Sequence, residues 1–137
     1  MSASLTAYRD VVGPRVMDEL QTVAERVGPL RLQNLNSTPF GGGVAEILLR
    51  MVPLLQSLGV DATWDVIKGD DDFFRATKAF HNALHGTENA TTDEMFHVFS
   101  QTTDRNLREI EITGDVILVH DPQPAGLVLR KRELGRH

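Results

Sequence analysis

The chain has 137 residues, 41% of them hydrophobic and 24% charged; this is the composition of one ordinary folded domain and excludes a disordered chain or a fibrous repeat. Its formal net charge is −5, with acidic Asp70-Asp71-Asp72 near the middle and basic Arg130-Lys131-Arg132 confined to the end; no broad positive surface is offered to a phosphate backbone, and nucleic acid is not an expected partner. Cysteine is absent, which removes disulfide and thiolate chemistry, and no apolar run reaches the roughly 20 residues that cross a bilayer, so the expectation is a cytoplasmic protein with no membrane partner.

In chain order, Val11, Val12, Val16, Leu20, Val23, Ala24 and Val27 recur at steps of three and four, as on one helical face. Gly13-Pro14 interrupts them, so two helical pieces are expected, the second starting near Pro14 and ended by Gly28-Pro29. Leu30 to Leu35 reads as a short strand closed by the turn formers Asn36-Ser37-Thr38-Pro39. After Gly41-Gly42-Gly43, the residues Val44, Ile47, Leu48, Met51, Val52, Leu54 and Leu55 mark an apolar helix that Gly59 terminates. Ala62 to Ile67 is a second strand, followed by a helix whose acidic start, Asp70-Asp71-Asp72, suits the positive end of the helix dipole. Phe73, Phe74, Thr77, Phe80, His81 and Leu84 carry that helix to Gly86. Glu88 to Thr92 is a loop, and Thr92 opens another helix running to about Arg108. Asp115 to His120 is a third strand, apolar through its middle and therefore expected to be buried on both faces. A last helix starts around Pro124 and ends before Gly135. Helices alternating with strands predict an α/β fold, a mainly parallel sheet flanked by helices.

Ligands of open parallel sheets bind beyond the carboxyl ends of the strands, so the segments after each strand hold the candidate chemistry. In the first, Gly41, Gly42 and Gly43 let a ligand approach the backbone, and the N–H groups of the following helix can hold a phosphate or a sugar hydroxyl. A tight turn is the alternative, since the spacing fits neither the Walker nor the dinucleotide pattern. In the second, Lys78, His81 and Asn82 share one helical face where they could converge on a polyol, or simply face water. Phe73 and Phe74 read as core rather than as a sugar platform, and the acidic triplet as helix capping rather than a cation site. In the third, His120-Asp121-Pro122-Gln123-Pro124 places a His and an Asp beyond a buried strand, fixed by two prolines, which packing does not readily explain. His85, His97 and His137 have no metal-ligand spacing with one another and read as surface or packing residues. No nucleophilic triad is evident.

Taken together, Asn36-Ser37-Thr38, Gly41 to Leu48, Val52-Pro53-Leu54, Trp64 to Asp70, Phe73-Phe74, Thr77-Lys78, Phe80 to Leu84 and His120 to Leu127 resemble the trehalose synthase, or trehalose glycosyltransferring synthase, group of the retaining GT-B glycosyltransferases (family four), with its trehalose phosphorylase relatives. The resemblance runs in order from about Tyr8 to Gly135; Asn34 and His85 stand where that family leads one to expect a histidine and a glutamine.

The resemblance implies a partial Rossmann-like fold, residues 1–137 forming an incomplete GT-B N-terminal domain with a helical segment at 1–28 and an α/β core at 29–137. It implies transfer of glucose from a nucleotide-glucose donor to free glucose with retention, giving trehalose, with no metal or other cofactor. Gly41, Gly42 and Gly43 would lie against the donor phosphates or the transferred sugar, with Glu46 supporting the loop. Lys78, His81 and Asn82 would face the acceptor, Asp121 would sit near the reacting sugars as the catalytic residue, and His120 would orient it. In the family the chain continues into a further strand and a nucleotide-binding domain, so these residues alone are expected to be catalytically silent and to self-associate or pair with that missing C-terminal domain. The alternative is a non-enzymatic sugar-binding or dimerisation module derived from the same fold.

Overall fold

The structure, a computed structural model, describes residues 5–87 and 90–129. Its elements are α1 (Leu5–Val12), α2 (Pro14–Val27), β1 (Arg31–Asn36), α3 (Gly43–Ser57), β2 (Asp61–Val66), α4 (Asp71–Leu84), α5 (Asp93–Glu109), β3 (Val116–Val119), a 3-10 turn (Gln123–Ala125) and α6 (Gly126–Leu129). The fold is α/β, with three parallel strands in the order β2-β1-β3 and helices flanking them. The register follows from bonds that join starts to starts and ends to ends: Asp115 N–H donates to Arg31 O at 2.9 Å and His120 N–H to Leu35 O at 2.9 Å. Among the described residues no helix is long and apolar enough to cross a membrane.

The chain contacts divide into two compact units. The first comprises the residues up to Asn34 together with Phe40–Trp64 and Ile112–Leu118. Its core is Met17 and Ala24 from α2, Leu48 and Val52 from α3, and Leu58, Val60 and Ala62 leading into β2. Each large apolar side chain buried there contributes about 1.5–3 kcal/mol. Gly59, at φ 86°, turns the chain out of α3, a conformation in which a β-carbon would be strained. Pro53 lies inside α3 and removes a donor from the ladder; the carbonyl it leaves is that of Leu49, which is exposed and can be hydrated.

β1 is the surprise of this unit. Its residues Gln33 and Asn34 are polar and fully buried. Gln33 Oε1 accepts from Thr113 N–H at 3.0 Å and Gly114 N–H at 3.1 Å, and Asn34 Nδ2 donates to Thr63 O at 3.0 Å. These bonds remove the penalty of burying an amide and fix β1 between its neighbours. Arg31 grips the start of β3 with a fork, Nε to Asp115 Oδ2 at 3.2 Å and Nη2 to Asp115 Oδ1 at 3.1 Å.

The second unit comprises Leu35–Pro39, Asp65–Glu111 and the residues from Val119 onward. Here α4 and α5 pack through aromatic rings: Phe80 stacks on Phe96 at 4.7 Å, and Phe73 lies 6.0 Å from Phe99, nearly parallel to it. Both helices start on side-chain caps, Asp70 Oδ1 accepting from Phe73 N–H at 2.9 Å and Thr92 Oγ1 from Met95 N–H at 3.3 Å.

Several expectations are corrected. β3 is not buried on both faces: Val116 and Leu118 are each 39% exposed, because β3 takes the edge of the three-stranded sheet and the central place goes to β1. Of the positions expected to share one face of α1 and α2, Val11, Val12, Val16, Leu20 and Val23 are exposed, Val11 at 84% and Val23 at 54%, whereas Ala24 is buried and Val27 packs half-buried against the core, joined by Met17, which the spacing did not include. Of the residues that mark α3 as apolar, Ile47 is exposed, since the inner stripe runs through Ala45, Leu48 and Val52. Phe73 is core, whereas Phe74 sits edge-on to it and remains partly exposed. The last helix begins with a 3-10 turn, and its expected end, like the basic triplet and His137, lies outside the described residues.

Candidate functional site

In the second unit the carboxyl ends of the strands are tied side by side. Ile67 N–H donates to Asn36 O at 2.9 Å on one flank of β1, and His120 N–H to Leu35 O at 2.9 Å on the other. Asn36, 1% exposed, turns the chain as it leaves β1 by donating from Nδ2 to Thr38 O at 2.8 Å. After β2, Asn106 of α5 holds Lys68 like a strand partner: Lys68 N–H donates to Asn106 Oδ1 and Asn106 Nδ2 donates to Lys68 O, both at 2.7 Å.

Asp121 stands on this rim directly after His120. It has φ 69° and is the single non-glycine residue with positive φ among the described residues. It also precedes Pro122, which by itself pushes a residue toward extended backbone. A conformation of this kind costs about 1–3 kcal/mol and persists where the surroundings enforce it, most often at functional positions. The surroundings here are the His120 bond to β1 and the 3-10 turn that buries Pro124. The Asp121 carboxylate is exposed and His120 is half-buried. Two residues on, Gln123 carries a buried side-chain oxygen with no hydrogen-bond partner among the described residues, a feature without a counterpart in the sequence pattern.

Lys78, His81 and Asn82 belong to the same unit, on α4; Lys78 and His81 are exposed and Asn82 is half-buried. The Asn82 carbonyl is taken up by the turn that ends the helix, accepting from His85 N–H at 3.1 Å and Thr87 N–H at 3.0 Å. His81 has a ring neighbour that sequence reasoning passed over: the imidazole of His85, one turn later, at a centroid distance of 4.5 Å. Spacing of four residues on a helix was the available signal. Among the described residues no three His, Cys, Asp or Glu side chains gather as a metal site.

Gly41, Gly42, Gly43 and Glu46 belong to the first unit. Gly41 takes φ 76°, and Gly42 is the extended N-cap of α3 with no side chain to cap it. The first-turn N–H groups of a helix have no intrahelical acceptor, so this end is open to an anion or a hydroxyl. Glu46 closes the first turn, its N–H donating to Gly42 O at 3.0 Å. Phe40, just before the triplet, is 78% exposed. Of the two departures from the family pattern, Asn34 is absorbed by the sheet through its bond to Thr63, and His85 is exposed beside His81.

Comparison with known proteins gives a consistent result. The family model of the trehalose synthase N-terminal domain matches residues 34–136. The chain is 43% identical over 126 residues to a trehalose synthase of Thermococcus litoralis, an alignment covering 90% of this chain and 31% of that protein. It is 39% identical over 125 residues to a trehalose synthase of Rubrobacter xylanophilus, with 89% and 30% covered. A trehalose phosphorylase of Pleurotus pulmonarius is more distant, at 31% identity over 137 residues, 90% of this chain and 18% of that protein. The chain thus spans about a third or less of the length of the curated relatives it matches.

Proposed function

Since this chain belongs to the trehalose synthase N-terminal domain family, we propose that it forms the acceptor side of a retaining glucosyl-transfer site that makes trehalose from a nucleotide-glucose donor and glucose. The observation that carries this reading is Asp121, held at φ 69° on the rim of the sheet beside the end of β1. Its carboxylate accepts from a hydroxyl of the sugar bound there, and His120 acts through Asp121 as a positioning residue. Lys78, His81 and Asn82 bind the acceptor glucose. Gly41, Gly42 and Gly43 lie against the donor phosphates or the transferred sugar, and the open N–H groups at the start of α3 take up negative charge as the diphosphate departs. Glu46 supports that loop.

In this reading the bond from the anomeric carbon to the donor phosphate breaks while the acceptor hydroxyl approaches on the same face. The departing phosphate oxygen takes the hydroxyl proton, so no enzyme nucleophile and no metal is assigned to the step. Preorganised donors on the diphosphate account for most of the rate in such a mechanism, and this chain by itself carries only the glycine loop toward that task. The chain alone is therefore assigned no turnover, and its partner is the remainder of a full-length relative.

The test is reconstitution. The chain, mixed with a separately produced C-terminal portion taken from one of the trehalose synthase relatives, is expected to form trehalose from a nucleotide-glucose and glucose, and Asp121→Asn to lower kcat by roughly two orders of magnitude or more. A folded, associated complex that binds glucose without turnover would instead mark a sugar-binding module and refute the enzymatic reading.

A further inference from the structure

His81 and His85 lie one turn apart at the end of α4, with ring centroids 4.5 Å apart and planes inclined by 55°. Both side chains are exposed, so burial does not explain their approach. Residues four apart stand on the same helical face, the arrangement by which paired histidines on helices hold zinc. Imidazole suits zinc, copper and nickel, and two metal–nitrogen bonds of about 2.0–2.1 Å keep the ligating atoms roughly 3.3 Å apart. A centroid separation of 4.5 Å leaves that spacing within reach of the ring nitrogens.

The position on the helix favours a cation as well. His81 is in the last turn and His85 is the C-cap, where the His81, Asn82 and Ala83 carbonyls gather around the turn; the helix dipole presents its negative end there. Lys78, three residues before His81, is the opposing charge on this face. His97, on α5, is already engaged with Gln101 at 2.8 Å.

We propose that His81 and His85 form a two-imidazole chelate for a borderline divalent transition cation, copper(II), nickel(II) or zinc(II), with water completing the coordination. A consequence for transfer rests on the acceptor role given to His81 above: a cation held there excludes the acceptor sugar from that side chain. His85→Gln removes the chelate by installing the residue the family resemblance leads one to expect at this position.

The experiment titrates tag-free protein with copper(II) and with nickel(II) by calorimetry in a non-coordinating buffer, following visible absorption in parallel. One equivalent is expected to bind, with affinity reduced at least roughly tenfold, or about 1.4 kcal/mol, in both His81→Gln and His85→Gln, and unchanged in His97→Gln. No uptake by the parent chain at millimolar metal, or undiminished uptake by a His85→Gln variant of native circular dichroism, overturns the proposal. Glucose binding measured with and without metal separates the two readings. A chelate that leaves glucose affinity unchanged upholds the metal site and refutes the acceptor role of His81.

Discussion

Asn106 offers a demanding test of how the rim after β2 is held. Its carboxamide, 1% exposed, accepts from Lys68 N–H at 2.7 Å and donates to Lys68 O at 2.7 Å and to Thr102 O at 2.8 Å. Asn106→Ala removes the partner of both Lys68 backbone groups at once. A buried polar group left without its partner costs about 1–3 kcal/mol, and the exposed Lys68 side chain marks a way in for water that recovers part of this. The expected loss is about 3 kcal/mol, a fall in Tm of about 9 °C for a chain of this size. Urea denaturation at constant m-value measures it. Asn106→Asp separates the hydrogen bonds from the volume. The substituted carboxylate can still accept from Lys68 N–H but sets a second oxygen against the Lys68 and Thr102 carbonyls, so its folded-state pKa is raised. Its destabilisation is therefore greatest above that pKa and is partly recovered as pH falls and the acid gains a proton to donate. A loss below about 1 kcal/mol for Asn106→Ala, or no acid recovery for Asn106→Asp, refutes the view that this side chain acts as a strand partner.

At Asp121, replacement by glycine removes the cost of the positive φ and is expected to stabilise the chain by about 0.5–1 kcal/mol in urea while abolishing transfer in the reconstituted enzyme; a destabilised variant would show that the side chain, not strain, dominates there. At Gly126 a β-carbon would lie 2.5 Å from Thr103 Oγ1 and 2.9 Å from its Cγ2, so Gly126→Ala is expected to cost about 1–3 kcal/mol, and Thr103→Ala in the same chain to return most of it; additive losses would contradict the clash. The Glu109 carboxyl is held below its ordinary range by the hydrogen bond and the charge of Lys68. Its contribution to stability is present above that range and lost as pH falls through the lowered value, so Lys68→Met should flatten the acid limb of stability against pH between about pH 6 and pH 3. Superimposable pH profiles would show that this exposed pair contributes nothing measurable.

The boundaries of the elements were legible because the residues that set them act locally. Gly13-Pro14 separates α1 from α2, Gly59 ends α3, and Asp70 and Thr92 cap the helices that follow them, each through a bond to a residue three positions on or through a backbone angle of its own. The places of the strands in the sheet were not legible, because hydrophobicity ranked them in the wrong order. β3, with four consecutive apolar residues, is the edge; β1, with Gln33, Asn34 and Asn36, is the centre. Burial of those amides is tolerable because partners as distant along the chain as Thr113 and Thr63 satisfy them, and a partner 80 residues away leaves no trace in a local pattern.

The same distinction between local and distant determinants divides the candidate site. That His120 and Asp121 would follow a strand could be read from the apolar run before them, and that the glycine triplet would open a helix could be read from the periodicity after it. The left-handed backbone at Asp121 could not, because an Asp before proline is ordinarily extended. It arises from what flanks it: one bond from His120 to β1 and one buried proline after it. The polar end of β1 and the strained rim residue are then parts of one arrangement. Asn36 fixes the end of β1 through its bond to Thr38 O, the Leu35 carbonyl beside it holds His120, and a carboxylate is held where relaxed backbone would not put it. Loss of a bond in that series should move Asp121 before it unfolds the chain, so Asn36→Leu is expected to impair reconstituted transfer by a larger factor than its effect on stability would account for.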